Sequence, residues 1–375
     1  MSKILFNDIH KSDAYIKNLQ HLLSDYDLFR KKHFSNLCLE KLKHYYPQSK
    51  LFLTHSATGA LEMIALLLNI KPGDEVIMPS FTFVSTASAF VNQGATPVFV
   101  DINPNTLNID EKLIEKAITL KTKAIIAMHY AGHSCNMEKL REIADKHSLF
   151  LIEDAAMGFG CKYENKFLGS IADFGVVSFD ITKHINAIQG GLLLINKKEH
   201  RDRANNIYHN GTNRSEFEKG ETPYYEWVDY GSKFQMNELN AAVLFEQLQQ
   251  SNNIIGKRKQ LSKIYYEDLK DLENKGKLKL IPEKFIAENI HAFYIILNST
   301  EERTALSKKL KDDKIDAVFH YMPLHLSPMG KAFSRYIGGE NTASISERLL
   351  RLPLHAELEH KDIKFIVQSI KNHLD

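Results

Sequence analysis

The sequence GVVSFDITK, residues 175–183, joins a predicted buried strand to a polar turn that ends in a lysine. A second apolar run, LLLI at residues 192–195, follows Gly190-Gly191 and predicts the next strand. A lysine held at a strand end beside apolar walls is poorly hydrated, and this favours its neutral, nucleophilic amine. Lys183 is therefore a candidate for covalent chemistry, and the alternative is a solvated lysine in a surface loop.

Upstream of this stretch, short apolar runs alternate with helical patterns. We predict strands at residues 51–53, 75–79, 97–101, 124–129 and 149–154, with helices at 83–93, 110–118 and 136–147 among the segments between them. Continuous apolar strands separated by helices indicate the α/β class, with a mostly parallel central sheet covered by helices on both faces. Because ligands of such sheets bind beyond the carboxyl ends of the strands, we expect a site at that edge.

The pattern changes after the long lysine-rich helix predicted at residues 253–272. Isolated strands and amphipathic helices are then predicted at 278–281, 291–297, 301–312, 315–319, 343–350 and 360–373. A chain of 375 residues is expected to form two domains, which we place at 1–250 (large, α/β, carrying the site) and 251–375 (small, C-terminal, α+β). The loop-like segment 210–235 is long for a compact domain, and such loops tend to be functional.

The composition argues against several classes of protein. With 48 basic and 46 acidic residues the net charge is +2, which argues against a dedicated nucleic-acid binder. No window approaches the ~20 apolar residues of a membrane helix, and Asp8 and His10 interrupt the apolar start, so we expect neither a membrane span nor a secretory signal. Cysteine occurs 3 times without a close pair, which fits reduced thiols in a cytoplasmic protein.

Several features point to one ligand. Residues 54–60 form a turn of small residues that opens into a helix, so this turn is either a phosphate cradle or an ordinary helix cap. Asp154 ends a hydrophobic strand, where a carboxylate is costly without a cationic partner. Together with Ser178 and Lys183, these features fit a heteroaromatic cation that carries a phosphate and an aldehyde. That ligand is pyridoxal 5′-phosphate (PLP), with Asp154 on its ring nitrogen.

Along essentially its whole length, the sequence resembles the fold-type-I, PLP-dependent nucleotide-sugar aminotransferases. The matching motifs are SATGAL at 56–61, PGDEVIMPSFTF at 72–83, EDAA at 153–156, SF at 178–179, TK at 182–183 and GG at 190–191. The likeness extends to the members that form 4-amino-4,6-dideoxyhexoses on dTDP, through HYAG at 129–132, GTNRS at 211–215, HYMPLH at 320–325 and ERLLRLPL at 347–354.

The resemblance implies roles around the cofactor ring. Lys183 would attach covalently to the cofactor and move the proton of the reaction, Asp154 would pair with the ring nitrogen, and Phe83 would stack on the ring. Met157 stands where relatives have Gln or His against the phenolic oxygen. Its thioether can stack there but donates no hydrogen bond.

The resemblance also implies a phosphate site and a dimer. Thr58, Gly59 and Ser178 would bind the cofactor phosphate, and no metal is expected. Members of the family are homodimers whose active sites borrow residues from the partner. Lys233 occupies a position that often carries a phosphate-binding asparagine, and a lysine can serve a phosphate as a point charge.

Further departures from the family pattern surround Lys183. Asp180, His184 and Gln189 replace the usual histidine, asparagine and acidic residue. They indicate that the electronic properties of the bound cofactor are altered, that the substrate pocket is changed or that the enzyme is weakened. Dehydratase relatives replace the lysine itself by histidine, so the retained Lys183 favours transamination.

The expected activity is transfer of an amino group from an amino acid, with glutamate as the expected donor, to a keto carbon of a nucleotide-linked sugar. The expected acceptor is C4 of a dTDP-4-keto-6-deoxyhexose, a precursor of surface polysaccharide. Alternatives are a C3 sugar aminotransferase, a PLP-dependent sugar dehydratase and a non-catalytic paralogue that binds nucleotide sugar. A dinucleotide-dependent Rossmann enzyme is disfavoured because no G-x-G-x-x-G follows the first strand.

Overall fold

The computed structural model describes residues 3–287 and 291–374. Its strands in chain order are β1 (Lys50–Thr54), β2 (Glu75–Pro79), β3 (Thr96–Val100), β4 (Thr122–Met128), β5 (Phe150–Asp154), β6 (Lys162–Tyr163), β7 (Lys166–Phe167), β8 (Phe174–Ser178), β9 (Gly191–Ile195), β10 (Leu278–Leu280), β11 (Phe293–Leu297), β12 (Arg335–Ile337) and β13 (Leu349–Leu352). Its α-helices are α1 (Ala14–Ser24), α2 (Tyr26–Arg30), α3 (His33–Tyr45), α4 (Ala57–Leu67), α5 (Ser85–Val91), α6 (Glu111–Ala117), α7 (Met137–Lys146), α8 (Arg201–Tyr208), α9 (Arg214–Glu218), α10 (Glu238–Gln249), α11 (Ser251–Asn274), α12 (Glu283–Ile286), α13 (Thr300–Asp312), α14 (Pro328–Phe333), α15 (Asn341–Arg348) and α16 (His360–Leu374).

The large sheet has 8 strands in the order β1-β9-β8-β5-β4-β2-β3-β12. From β8 to β12 every neighbouring pair is parallel, whereas β9 is antiparallel to both β1 and β8. The prediction of a mostly parallel central sheet in the α/β class is therefore confirmed. The carboxyl ends of β4, β5 and β8 meet at one edge, where Asp154 and Ser178 are the last residues of β5 and β8.

Helices cover both faces of this sheet because successive residues of its buried strands point in opposite directions. In β2, Val76 and Met78 pack in a cluster with α4 and α5, and Ile77 packs in another with α6 and α7. A further cluster brings α3 and α10 against β1 and β9. Within the described ranges, no helix has both the length and the apolar character needed to cross a membrane.

The C-terminal part contains a second sheet, which is antiparallel in the order β10-β11-β13. Apolar residues of α11, α13 and α16 cover it, in a cluster that also includes Phe81, Met128 and Met157 from the large α/β part. The predicted small C-terminal sheet domain is thus present. The division at residue 250 stays a prediction, because β12 comes from beyond that point and pairs with β3 at the edge of the large sheet.

Some local predictions differ from the structure. Residues 315–319 form isolated bridges rather than a regular element, with Ile315 and Val318 as the bridged residues. The single element predicted at 343–350 is the end of α15 followed by the start of β13. β12 was not predicted because it is short and half-buried, and carries no alternation of apolar and polar residues.

Candidate active site

A cavity of about 320 Å³ lies beyond the carboxyl ends of β4, β5 and β8. The residues predicted for the site fall into two groups. Those that line the cavity are Thr58, Phe83, Asp154, Met157, Ser178 and Lys183. Those that do not line it are Gly59 and Lys233. The sheet edge therefore brings together residues that are more than a hundred positions apart in the sequence.

Lys183 lies in the loop between β8 and β9, and backbone hydrogen bonds across this loop hold it in place. The N–H of Phe179 donates to Gly190 O (2.9 Å), and the N–H of Ile181 donates to Ile188 O (2.8 Å). The loop therefore continues the pairing of the two strands toward the lysine. The side chain of Lys183 is enclosed by protein except where it faces the cavity.

The surroundings of Lys183 favour its neutral form. Burial and, to a smaller extent, the positive charge of Arg351 lower the pKa of Lys183 to about 8, although Asp154 and Asp180 act in the opposite direction. A lysine with this pKa has a sizeable neutral fraction near physiological pH, and the neutral amine is the nucleophile.

Asp154 is a buried carboxylate, 4% exposed, at the end of β5. Its Oδ2 accepts from Thr86 Oγ1 (2.7 Å) and its Oδ1 accepts from the N–H of Ala156 (3.1 Å). Among the residues that the structure describes, no Lys, Arg or His side chain forms an ion pair with Asp154 within 4.0 Å. A buried carboxylate that faces a cavity without a cation suits a ligand with a protonated ring nitrogen.

The start of α4 supplies an anion site at the cavity wall. Ser56 caps the helix, because its Oγ accepts from the N–H of Gly59 at 3.0 Å. The N–H groups at Ala57 and Thr58 have no acceptor within the helix and lie where the helix dipole favours an anion. Gly59 lies behind them, and a Cβ at this position would meet the His55 ring at 2.8 Å. The phosphate-binding role of Gly59 stays a prediction.

Phe83 and Met157 form apolar parts of the cavity wall. Phe83 is largely exposed, and its ring centroid lies 6.5 Å from that of Tyr321. Met157 is buried, and its Sδ accepts from the N–H of Ala131 at 3.3 Å. The sulfur therefore has a partner within the protein, and Met157 offers a surface for packing against a ring.

Lys233 lies away from the cavity of its own chain. It is exposed, and its backbone forms a bridge with that of His209 at the base of segment 210–235. The same segment contains α9 and carries the exposed aromatic residues Tyr224, Tyr225, Trp227 and Tyr230. A cofactor-binding role for Lys233 requires a second copy of the chain and stays a prediction.

The departures from the family pattern differ in position. Asp180 and Gln189 line the cavity, whereas His184 is buried outside it. His184 Nε2–H donates to Phe159 O (2.8 Å), so its Nδ1 accepts from His291 Nδ1–H (3.3 Å). Burial, with the positive charge of Arg258, lowers the pKa of His184 to about 3, which keeps the ring neutral. His184 is therefore placed to support the loop and not to take the role of Lys183.

The C-terminal part contributes cavity residues to which the sequence analysis assigned no role. Arg351 from β13 lines the cavity together with His291, His320 and Tyr321. Phe6, close to the N-terminus, also lines it. A signal for Arg351 exists in the sequence, because an arginine inside the apolar strand LLRL at 349–352 is rare unless it has a partner or a ligand.

The sequence model of the DegT/DnrJ/EryC1/StrS aminotransferase family matches residues 22–371. The chain belongs to this family. This aminotransferase is 30% identical over 330 residues to the spore coat polysaccharide biosynthesis protein SpsC of Bacillus subtilis, with 85% of this chain and 84% of SpsC covered. The predicted family, enzyme class and whole-chain extent of the resemblance are thus confirmed.

Solved structures support the same fold. PseC of Helicobacter pylori, an aminotransferase involved in the biosynthesis of pseudoaminic acid, superposes with a TM-score of 0.89 at 24% identity and covers 100% of this chain and 99% of its own. NtdA of Bacillus subtilis, solved with its cofactor PMP bound, has a TM-score of 0.88 at 26% identity and covers 100% of this chain and 86% of its own. At 24% identity, the similarity to PseC supports the fold of this chain and not its activity or substrate.

This member of the DegT/DnrJ/EryC1/StrS family is a PLP-dependent sugar aminotransferase, and the predicted cofactor is confirmed. The cavity fits the cofactor, because it combines a lysine with a lowered pKa, a buried carboxylate without a cation and a helix N-terminus. When bound, PLP supplies an electron sink that stabilises negative charge at the carbon bearing the amine.

Proposed function

We propose that this aminotransferase moves the amino group of glutamate to C4 of a dTDP-linked 4-keto-6-deoxyhexose. The observation that carries the transaminase chemistry is Lys183, which has a pKa near 8 and faces a cavity shared with Asp154. The motifs shared with dTDP-4-amino-4,6-dideoxyhexose-forming enzymes support the choice of sugar. A role in surface-polysaccharide synthesis is supported by the similarity to SpsC.

In this proposal each residue has a separate task. Lys183 attaches the cofactor and then, as a neutral amine, accepts and returns the proton at the carbon that bears the amino group. Asp154 keeps the ring nitrogen protonated. The N-terminus of α4, with Thr58 and Ser178, binds the phosphate, and Phe83 and Met157 enclose the ring.

The test uses the PLP-loaded protein and follows the two half-reactions separately. Addition of L-glutamate is expected to convert the absorption spectrum to that of the pyridoxamine form, and dTDP-4-keto-6-deoxyglucose is expected to restore the original spectrum. NMR of the sugar product then identifies the aminated carbon. Lys183→Ala is the control and should show neither change.

Other outcomes contradict the proposal in identifiable ways. An amine at C3 contradicts the choice of carbon, and loss of a hydroxyl without gain of nitrogen identifies a dehydratase. A protein that binds the nucleotide sugar but shows no spectral change with any amino acid is a non-catalytic paralogue.

We further propose a cytoplasmic homodimer in which segment 210–235 reaches the active site of the partner. The exposed aromatic residues of this segment support the proposal, because surface aromatics of this density mark interfaces. Lys233 would then bind the phosphate of the PLP that is held by the other chain. A lysine serves such a phosphate as a point charge.

Complementation between two defective variants tests this arrangement. Lys183→Ala and Lys233→Ala chains with different tags are co-expressed, and the mixed dimer is purified through both tags. If the sites are shared, one site of the mixed dimer has both lysines and binds PLP with wild-type affinity. If Lys233 acts within its own chain, no site in the mixed dimer recovers.

A further inference from the structure

Arg351 is a buried arginine held rigidly at the wall of the active-site cavity. It is 6% exposed and lies in β13. Its N–H donates to Val318 O (2.7 Å), and its carbonyl accepts from the N–H of Val318 (3.0 Å). Val318 therefore holds the backbone on one side, and pairing with Tyr294 of β11 holds it on the other. The guanidinium lines the same cavity as Lys183.

The charge of Arg351 has no acidic partner in the described residues, 3–287 and 291–374. Its Nη1 donates to Nε2 of His320 at 2.6 Å, and burial together with the charge of Arg351 lowers the pKa of His320, so that this partner is neutral. Its Nε is buried and has no hydrogen-bond partner. The ring of Phe6 covers the guanidinium at 4.6 Å. A buried, fork-shaped cation in this state fits a ligand that carries a carboxylate or a phosphate.

The reaction offers several anions, and their chemistry separates them. The cofactor phosphate already has donors at the N-terminus of α4. The diphosphate of a nucleotide sugar is attached at C1, across the ring from the C4 keto carbon. In an α-amino acid, by contrast, the carboxylate is bonded to the same carbon that carries the amine. The carboxylate of the amino acid is therefore the one anion of the three that must lie beside the reacting nitrogen, in the part of the cavity that Lys183 lines.

We propose that Arg351 binds the α-carboxylate of the amino-acid donor. The proposal rests on the proposed function in one respect, namely that the donor is an α-amino acid. Nε and one Nη of the guanidinium are the donors available for a bidentate contact. His320 holds the other Nη and thereby sets the plane of the fork. The structure thus assigns recognition of the donor to a residue of the C-terminal sheet.

A consequence concerns the second substrate. The keto sugar has no carboxylate at the corresponding place, so Arg351 then keeps only His320 and the face of Phe6 as partners. A cation over an aromatic face is partly stabilised without an anion. Removal of Arg351 should therefore weaken the donor half-reaction more than the sugar half-reaction.

The experiment compares PLP-loaded wild-type protein with Arg351→Gln, Arg351→Lys and the control Arg348→Gln. Arg348 belongs to the same stretch of chain, but its Nε donates to Ser344 O (2.9 Å) and its side chain lies outside the cavity. We expect Arg351→Gln to raise the half-saturating glutamate concentration by about tenfold to a hundredfold, the loss typical of a charged hydrogen bond. Arg351→Lys should recover part of the affinity, and Arg348→Gln should match wild type.

Two probes without a carboxylate test selectivity. The reaction of the bound cofactor with hydroxylamine, and the reverse half-reaction with the dTDP-linked amino sugar, report any effect that the loss of the Arg351 charge has on Lys183. In Arg351→Gln, the loss with glutamate should exceed the loss with either probe by about tenfold or more. Calorimetry of 2-oxoglutarate with the pyridoxamine-loaded protein gives a binding readout that does not depend on turnover, and the affinity should fall by the same factor as for glutamate.

Equal weakening with glutamate and hydroxylamine would overturn the assignment, as would a defect confined to the amino sugar. Failure of the proposed function looks different. A wild-type protein that reacts with glutamate but with no dTDP-sugar refutes the acceptor, and the comparison of glutamate with hydroxylamine still decides the role of Arg351. A wild-type protein that reacts with no α-amino acid refutes both.

Discussion

The reactivity of Lys183 depends on charges that come from distant parts of the chain. Asp154 ends β5, the neighbour of β8 in the large sheet, whereas Arg351 belongs to the C-terminal sheet. The sequence was sufficient to predict that Lys183 and Asp154 meet, because both follow buried strands of one parallel sheet. It was not sufficient for Arg351, since no local pattern indicates that β13 faces the same cavity.

A first prediction concerns the pH dependence of cofactor attachment. Covalent attachment requires the neutral amine of Lys183, so the rate of attachment to cofactor-free protein should rise with pH around a midpoint of about 8. Arg351 lowers the pKa of Lys183, and Arg351→Gln should therefore move the midpoint upward. Asp154 raises it, and Asp154→Asn should move the midpoint downward.

The measurement is the absorbance change on mixing cofactor-free protein with PLP over a series of pH values. Lys183→Ala controls for attachment at other lysines, and Arg348→Gln controls for a general effect of removing an arginine. A downward shift in Arg351→Gln would show that its charge does not act on Lys183.

At the level of elements, the start of α4 is shaped by its contact with β9. A Cβ on Gly191 would collide with the backbone carbon of Ser56 and would meet the N atom of Ala57 at 2.5 Å. The sequence was sufficient to predict α4 and β9 and to single out the motif GG at 190–191, because apolar runs and small residues are local signals. Their contact was not predictable, since it depends on how β9 reverses direction beside β8.

Gly191→Ala is therefore expected to displace the N-terminus of α4 and to weaken PLP binding by about tenfold or more, a loss equivalent to one or two hydrogen bonds to the phosphate. Fluorescence or absorbance titration of cofactor-free protein with PLP measures the affinity. Gly256→Ala is the matched control, because its Cβ would meet open space within α11. Unchanged PLP affinity in Gly191→Ala would mean that the helix start tolerates the shift.

In the whole molecule, Asp101 ties the end of β3 to the C-terminal part. Its carboxylate accepts from the N–H (2.8 Å) and Oγ1 (2.6 Å) of Thr342, and from the N–H of Gly339 (3.0 Å). With β12, these contacts connect the two predicted domains across the boundary at residue 250, which stays a prediction. Contacts between residues more than two hundred positions apart leave no local signal.

These contacts predict a pH-dependent stability. Burial opposes ionisation of Asp101, but the hydrogen bonds from Thr342 and its neighbours outweigh it and lower its pKa. The stabilisation is therefore present above the unfolded-state pKa of about 3.9 and is lost as the pH falls through the lower folded-state pKa. Asp101→Asn should reduce the free energy of unfolding by about 1–3 kcal/mol at neutral pH.

Urea unfolding of both proteins at several pH values checks this prediction. The two stability curves should converge in acid, because protonation removes from the wild type the charge that the variant lacks. Curves that stay parallel down to the lowest pH would show that Asp101 stabilises the fold through its packing and not through its charge.

Trp227 gives the proposed dimer an optical signal of its own. It is the only tryptophan of the sequence and is 81% exposed in the single chain, with its indole N–H bonded to Asp229 O at 2.7 Å. Association through segment 210–235 would move this indole from water into an apolar contact and shift its emission to shorter wavelength. A dilution series of unlabelled protein would then report the dissociation constant of the assembly, and quenching by PLP would report when the neighbouring site is filled.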